Sequence, residues 1–491
     1  MAKLKKTLTS GILLRMIYDN RGIIVKKLLC TFLLLLFTMS TSAQTEWISA
    51  VEPNPLTDNG FGDGLANMGK WLVVGDPQDD TNVNNGGAVH VYQDVNGQWQ
   101  LFQTLHADDA ESNDKLGTAV DIEVKHDTGE TWIAASAIND DDAGTDKGAV
   151  YLFELDVNNT GLFIQQKKLN GGASSANFGI SLAMNYDYVE EIDAYLWVLA
   201  VGDDYFNRPD PIGGGTHNTG TVFIYKKNAG IGNNLWEEEP IQVSQSFLDS
   251  LDFSDRFGAS VSVDGIYVLA GTPNYDRHDL GTDGIDVGAV FLLYRSGLTM
   301  TWECCTIVTT PTPIRSANFG TDAEVIKQPG NNIIIMGGSP LEKDINNRQI
   351  GSVDVWFNGG HVQKLYPPII AGGAGEHFGA SLAANGDEFF GSTKMLVGAP
   401  FSEDHKGIVY EYRLNPDYDG MNDFYILNQT IVGTNRTSYP WDFGRFGTNI
   451  STDGRSHTAS SDSNYIGSHR RVLTQETPIF ANGFGSPIQQ P

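Results

Sequence analysis

Nine residues late in the sequence have a spacing that suits a metal ion. In Asn415-Pro416-Asp417-Tyr418-Asp419-Gly420-Met421-Asn422-Asp423, oxygen side chains stand at positions 1, 3, 5 and 9, with glycine at 6. Such an array can wrap a hard cation: Asn415, Asp417, Asp419 and Asp423 would ligate calcium, and the Met421 carbonyl would complete the oxygen shell. Asn at the first position lowers the ligand charge, and no Glu stands at position 12. The same residues also suit an Asx-rich hairpin turn, as do Asp94-Val95-Asn96-Gly97 and the stretch from Asp156 to Gly161. Spacing alone leaves both open.

Other acids crowd four stretches: Asp76, Asp79 and Asp80; Asp140, Asp141, Asp142 and Asp146; Asp203 and Asp204; Asp276, Asp279, Asp283 and Asp286. They could gather cations, although carboxylates in loops are more commonly solvated. The sequence has no nucleophile elbow, no His-Glu-x-x-His, and no lysine after Gly213-Gly214-Gly215 to make a phosphate loop. His90, His361 and His377 fall within or beside apolar strand patterns, where a structural role is expected. Sugar hydrolysis needs two carboxyls at a set separation, which abundant acids could supply. An extracellular carbohydrate-active or other hydrolytic enzyme, with its site at a channel mouth, is therefore the alternative to a binding protein.

Composition narrows the partners. The 491 residues hold 60 Asp and Glu against 32 Lys and Arg, a formal charge of −28. That surface repels phosphate backbones and anionic lipid, which disfavours nucleic acid. Residues 1–43 read as an export signal: Lys26-Lys27, an apolar run from Leu28 to Met39, then Thr41-Ser42-Ala43 before a cleavage point near Gln44. Met16 is an alternative start. The run is about 12 residues, too short to span a bilayer, and no other segment is apolar enough. A secreted or cell-surface monomer is expected. Beyond the leader only Cys304 and Cys305 remain. Adjacent cysteines seldom bridge, and on a strand they point to opposite faces; a vicinal disulfide is the alternative in an oxidising compartment, and no disulfide framework is expected.

The elements that must position these residues come from a repeat. An aromatic-glycine step recurs at Phe61-Gly62, Phe178-Gly179, Phe257-Gly258, Phe319-Gly320, Phe378-Gly379 and Phe446-Gly447, with Leu116-Gly117 as a variant. In the first six copies an apolar run ending in small residues follows, such as Trp71 to Pro77 and Met395 to Pro400. A glycine-led alternating run comes next, from Gly87, Gly148, Gly220, Gly288, Gly351 and Gly407. The period averages about 64 residues and holds several strands with no helix, which indicates a propeller or array.

The fourth copy shows the unit. Phe257 to Val263 alternates as an inner strand, Asp264-Gly265 turns, and Ile266 to Ala270 makes a buried second strand. An acidic loop leads to a third strand from Gly288 to Tyr294, and a fourth lies around Trp302. Trp99 and Trp236 mark similar outer strands, with Phe163 and Phe424 as stand-ins. The seventh copy has a polar stretch, Ser456 to Asn464, in place of the apolar second strand, and no clear outer strand. The segment around Trp47 is an outer strand without a blade of its own, so it is expected to complete the last blade and hide both edges.

These residues resemble the FG-GAP repeats of integrin α-subunit propellers and of bacterial secreted proteins, with Gly398-Ala399-Pro400 as an intact ending. The resemblance covers roughly residues 46–475. It implies an all-β fold, a seven-bladed β-propeller of four-stranded antiparallel blades over 44–475, with 476–491 as a tail. It also implies a rigid platform for binding an extracellular protein or glycan, often with calcium in its loops. The family's calcium loop lies between first and second strands, where Asp264-Gly265 and the stretch 327–332 lack it. That site does not carry over by position.

Overall fold

The computed structural model describes residues 48–51, 53 and 60–476, apart from 126, 190–193, 210–215, 228–235, 245–246, 248–249, 297–300, 331, 369–375, 386–392, 403–406, 419, 433–446, 453–455 and 461–470. The leader, the residues after 476, Trp47, Asp419 and Phe446 therefore lie outside the described residues.

The described residues begin with β1 (Ile48–Val51), after which the chain builds one sheet per repeat. The first holds β2 (Leu65–Met68), β3 (Trp71–Asp76), β4 (Ala88–Asp94) and β5 (Trp99–Leu105). The second holds β6 (Leu116–Lys125), β7 (Glu130–Ala137), β8 (Ala149–Leu155) and β9 (Phe163–Asn170). The third holds β10 (Ser181–Val189), β11 (Ala194–Asp203), β14 (Thr221–Lys227) and β15 (Trp236–Glu239). Its loop carries a small hairpin, β12 (Asn207–Pro209) with β13 (Thr216–Asn218). The fourth comprises β16 (Ile241–Val243), β17 (Ser260–Asp264), β18 (Tyr267–Thr272), β19 (Ala289–Arg295) and β20 (Trp302–Val308). The fifth is β21 (Ala323–Gln328), β22 (Asn332–Ser339), β23 (Ser352–Phe357) and β24 (Gly360–Leu365). The sixth is β25 (Ser381–Asn385), β26 (Lys394–Ala399), β27 (Ile408–Leu414) and β28 (Tyr425–Val432). The last is β29 (Ile450–Thr452), β30 (Ser456–Ser460), β31 (Arg471–Glu476) and β1.

The sequence predicts seven four-stranded blades; six sheets have that form, and the sheet of the fourth repeat carries five strands. The extra strand is β16, which runs parallel to β20 with Ile241 opposite Trp302. Pro240 explains the departure. It has no N–H to continue the β15 ladder, so the chain leaves one blade and runs along the outside of the next. Buried Glu239 fixes the crossing by accepting a hydrogen bond from Trp302 Nε1 at 2.8 Å and pairing with Arg295 at 3.2 Å. Of the two readings for Cys304 and Cys305 in β20, the less expected one holds: they are joined as a vicinal disulfide across a cis peptide.

The repeated glycines mark where neighbouring sheets meet. Gly258 has φ 92°, and a Cβ there would sit 2.3 Å from the Thr221 carbonyl of the preceding sheet. Only glycine fits that left-handed, close-approach position. Gly220, which opens the third strand of that preceding sheet, bridges Phe257 in turn, and Phe257 N–H donates to Thr219 O at 2.9 Å. The Phe-Gly step is thus an inter-blade clasp, with Phe257 buried in a layer shared by both sheets. Burial of a whole aromatic ring contributes roughly 1.5–3 kcal/mol at each such clasp.

The last sheet is closed by the N-terminal strand. β1 pairs antiparallel with β31, from Ile48 opposite Thr474 to Val51 opposite Arg471. β30 is polar as its sequence says, yet Thr458 and Ser460 are buried, and the Thr458 hydroxyl donates to Asn67 Oδ1 of the first sheet at 2.9 Å.

Candidate functional site

The innermost strands β2, β6, β10, β17, β21, β25 and β29 surround an axial cavity of about 560 Å³. Asp121, Glu123, Asp264, Asp322 and Glu324 line it. Convergent carboxyls in an axial pocket are what a hydrolase would need, so their bonding decides their meaning. Asp121 accepts from Ile122 N–H at 2.8 Å and from Met184 N–H of the next blade at 2.6 Å. Asp322 does the same with Ala323 at 2.9 Å and Leu382 at 2.7 Å. Asp264 accepts from Lys327 N–H at 2.7 Å, and Glu324 from the Ser262 hydroxyl at 2.6 Å. An inner strand is a sheet edge with unpaired N–H groups, and Asp121, Asp264 and Asp322 each satisfy one across the gap between blades. Burial pushes Asp121 up to about 7 and Asp322 up to about 6, and it holds Glu123 and Glu324 well above the usual carboxylate range.

The loops from second to third strands, together with those leading into each next inner strand, lie at one end of the ring. Several of their acids are buried rather than solvated: Asp76, Asp79, Asp140, Asp203 and Asp204. Internal partners account for Asp140, for Asp204 and for one oxygen of Asp203. Asp140 meets Tyr151 Oη at 2.7 Å and Lys168 Nζ at 2.8 Å; Asp204 pairs with Arg256 at 2.5 Å; Asp203 accepts from Asn177 N–H at 3.1 Å. Asp80, Asp141, Asp142, Asp146, Asp279 and Asp283 stay exposed. Two large apolar side chains stand among the same loops, Ile345 fully exposed and Phe253 64% exposed.

The calcium-spaced residues sit at the opposite end, between β27 and β28. Asp417 N–H donates to Asn415 Oδ1 at 3.0 Å, Asn415 Nδ2 to Asp423 O at 2.7 Å, and Asn422 Nδ2 to Asp417 O at 2.8 Å. Asn415, Asp417 and Asp423 thus share one turn, with Met421 93% exposed beside them. Of the three histidines expected to be structural, His361 Nε2 bonds Asp354 Oδ1 at 2.7 Å and His377 packs on Phe401 at 4.5 Å. His90 is brought to Asp76 and Asp79, a grouping that sequence distance hides.

Twisted antiparallel blades clasped around an axial cavity define a β-propeller. The FG-GAP repeat family matches residues 99–153. That stretch runs from β5 into β8, so one family repeat is the outer strand of one blade plus three strands of the next, with Leu116-Gly117 at the start of the first of those three. The chain therefore carries the FG-GAP repeat in a β-propeller arrangement. No curated protein matches the sequence. Among the described residues, no helix is long and apolar enough to cross a membrane.

Proposed function

We propose that this chain is an exported binding scaffold whose rim loops recognise a protein or a glycan outside the cell. The observation that carries it is the pairing of exposed Ile345 and Phe253 with exposed acids at one end of a rigid ring. Long loops on such a frame are where recognition concentrates, and apolar side chains left in water there favour a partner. The axial acids support the scaffold over hydrolysis, because Asp121 and Asp322 already accept two backbone N–H groups each. Calcium, if held by Asn415, Asp417, Asp419, Met421 and Asp423, would brace the opposite end and leave the binding rim free.

A glycan and protein array, probed with the full chain with and without calcium, tests this. Ile345→Asp and Phe253→Asp should each weaken binding at least about tenfold, the loss expected when a central apolar anchor goes, with melting unchanged. Hydrolysis of array glycans that disappears in Asp121→Asn would instead support the enzyme.

A further inference from the structure

Asp76, Asp79 and His90 lie at 0%, 1% and 2% exposure in the first blade. One ligand atom from each falls within 4.8 Å of the others. Both Asp76 carboxylate oxygens, Asp79 Oδ2 and His90 Nε2 are buried without a hydrogen-bond partner. Their other atoms are spent on orientation. Asp79 Oδ1 accepts from Thr81 N–H at 2.8 Å and from the Thr81 hydroxyl, and His90 Nδ1 lies 3.0 Å from Thr104 Oγ1. With Nδ1–H donated to Thr104, Nε2 turns a lone pair towards two carboxylates. Buried acceptors facing one another cost several kcal/mol unless a cation lies between them.

The repeats show what fills this position elsewhere. Register places Tyr151 and Asp354 where His90 stands, and Lys168 and Lys364 where Thr104 stands. In the second blade Lys168 Nζ reaches Asp140 at 2.8 Å; in the fifth, Lys364 Nζ reaches Glu342 at 2.6 Å and Asp354 at 3.4 Å. The third and fourth blades use aromatic pairs instead, Phe206 with Phe223 and Tyr275 with Phe291. Only the first blade's position, among these five, joins two acids to a third ligand and has no lysine.

We propose that Asp76, Asp79 and His90 bind a divalent transition-metal cation, with zinc as the ion they fit, in the place that lysine occupies in the second and fifth blades. Two carboxylates neutralise a divalent charge, and an imidazole nitrogen favours zinc over calcium or magnesium. His90 Nε2 and Asp76 Oδ2 are 3.5 Å apart, close to the separation of about 3.4 Å between two ligands on a tetrahedral zinc with bonds of about 2.0–2.1 Å. The Thr104 contact supplies the outer hydrogen bond that fixes a ligating histidine's tautomer.

The test strips the full chain with a chelator, measures bound metal by mass spectrometry, and follows melting as zinc chloride is returned. The wild type should take up about one equivalent, and its melting temperature should climb with zinc concentration, as binding to the folded state alone requires. His90→Phe installs the residue of the third and fourth blades; Thr104→Lys installs the internal cation of the second and fifth. Both should fold, lose the equivalent and melt independently of zinc, with Thr104→Lys at least as stable as metal-free wild type. A wild type that takes up no zinc overturns the proposal and leaves His90 as a buried neighbour of Asp76 at 3.5 Å. An equal zinc shift in wild type and both variants also overturns it, by placing the metal elsewhere.

Discussion

A carboxylate on an inner strand has two demands on it: its charge seeks water, while the edge N–H groups beside it seek an acceptor. Asp121 meets the second demand with two short hydrogen bonds, one of them across to Met184, yet burial still wins and raises its pKa to about 7. The folded state then holds this proton more tightly than the unfolded chain, whose aspartates titrate near 3.9. Its stabilising effect is complete below about pH 4 and is lost as pH rises through about 7. Asp322, raised to about 6 by the same cause, adds in the same direction. Denaturant unfolding should show these groups making the protein more stable at pH 5 than at pH 8. Asp121→Asn should lower stability by about 1–3 kcal/mol, since an amide NH₂ would face a backbone N–H. It should also flatten the slope between pH 4 and 7, and an unchanged slope would assign the pH dependence to other groups.

At the scale of the strand, the contact between blades depends on glycine. A Cβ on Gly271, at the end of β18, would lie 2.1 Å from the Gly320 carbonyl of the next blade. The obstructing atom is backbone, so the blades themselves must part. Gly271→Ala should cost about 1–3 kcal/mol or more, whereas Gly97→Ala, in a turn with open space around it, should show only the smaller strain of its φ of 76°. Equal losses at the two sites would mean that the inter-blade clasp adds nothing. These glycines were legible in the sequence because the same backbone approach recurs in each repeat. The apolar triplets were legible because a strand buried on both faces needs them. β16 was not, because three residues give no period and its parallel partner β20 lies some 60 positions on. The stitching by Asp121 and Asp322 was also hidden, since it depends on the register of the following blade. For the candidate metal group the rim was legible from clustered acids, but His90 was not. Comparing repeats position by position, where Tyr, Phe and Asp replace it, is the signal that singles it out.

For the whole molecule, stability is a matter of closing the ring. Each hydrophobic layer draws on two neighbouring blades; Phe378, for example, lies in one layer with Met336 of the fifth blade and Val397 of the sixth. The last of these joins is where the first and last described strands, β1 and β31, meet. Ala50 of β1 is fully buried in a layer with Phe61, Leu72, Val74 and Tyr92 of the first blade, while its backbone pairs with β31. Asn449 crosses the same seam, donating to Gly62 O at 3.0 Å and Asp63 O at 2.9 Å. A propeller without its closing strand exposes the edge of β31 and uncovers that layer, and an open edge invites pairing with another chain. Deleting residues 48–51 should therefore lower the calorimetric melting temperature by several degrees and shift the protein towards dimers or aggregates in gel filtration. Asn449→Ala should weaken the seam by about 1 kcal/mol while leaving the strand and the monomer in place. A deletion that melts like wild type and stays monomeric would show that β1 adds no stability to the ring, and closure would then rest on the side-chain bonds that Asn449 and Thr458 make to the first blade.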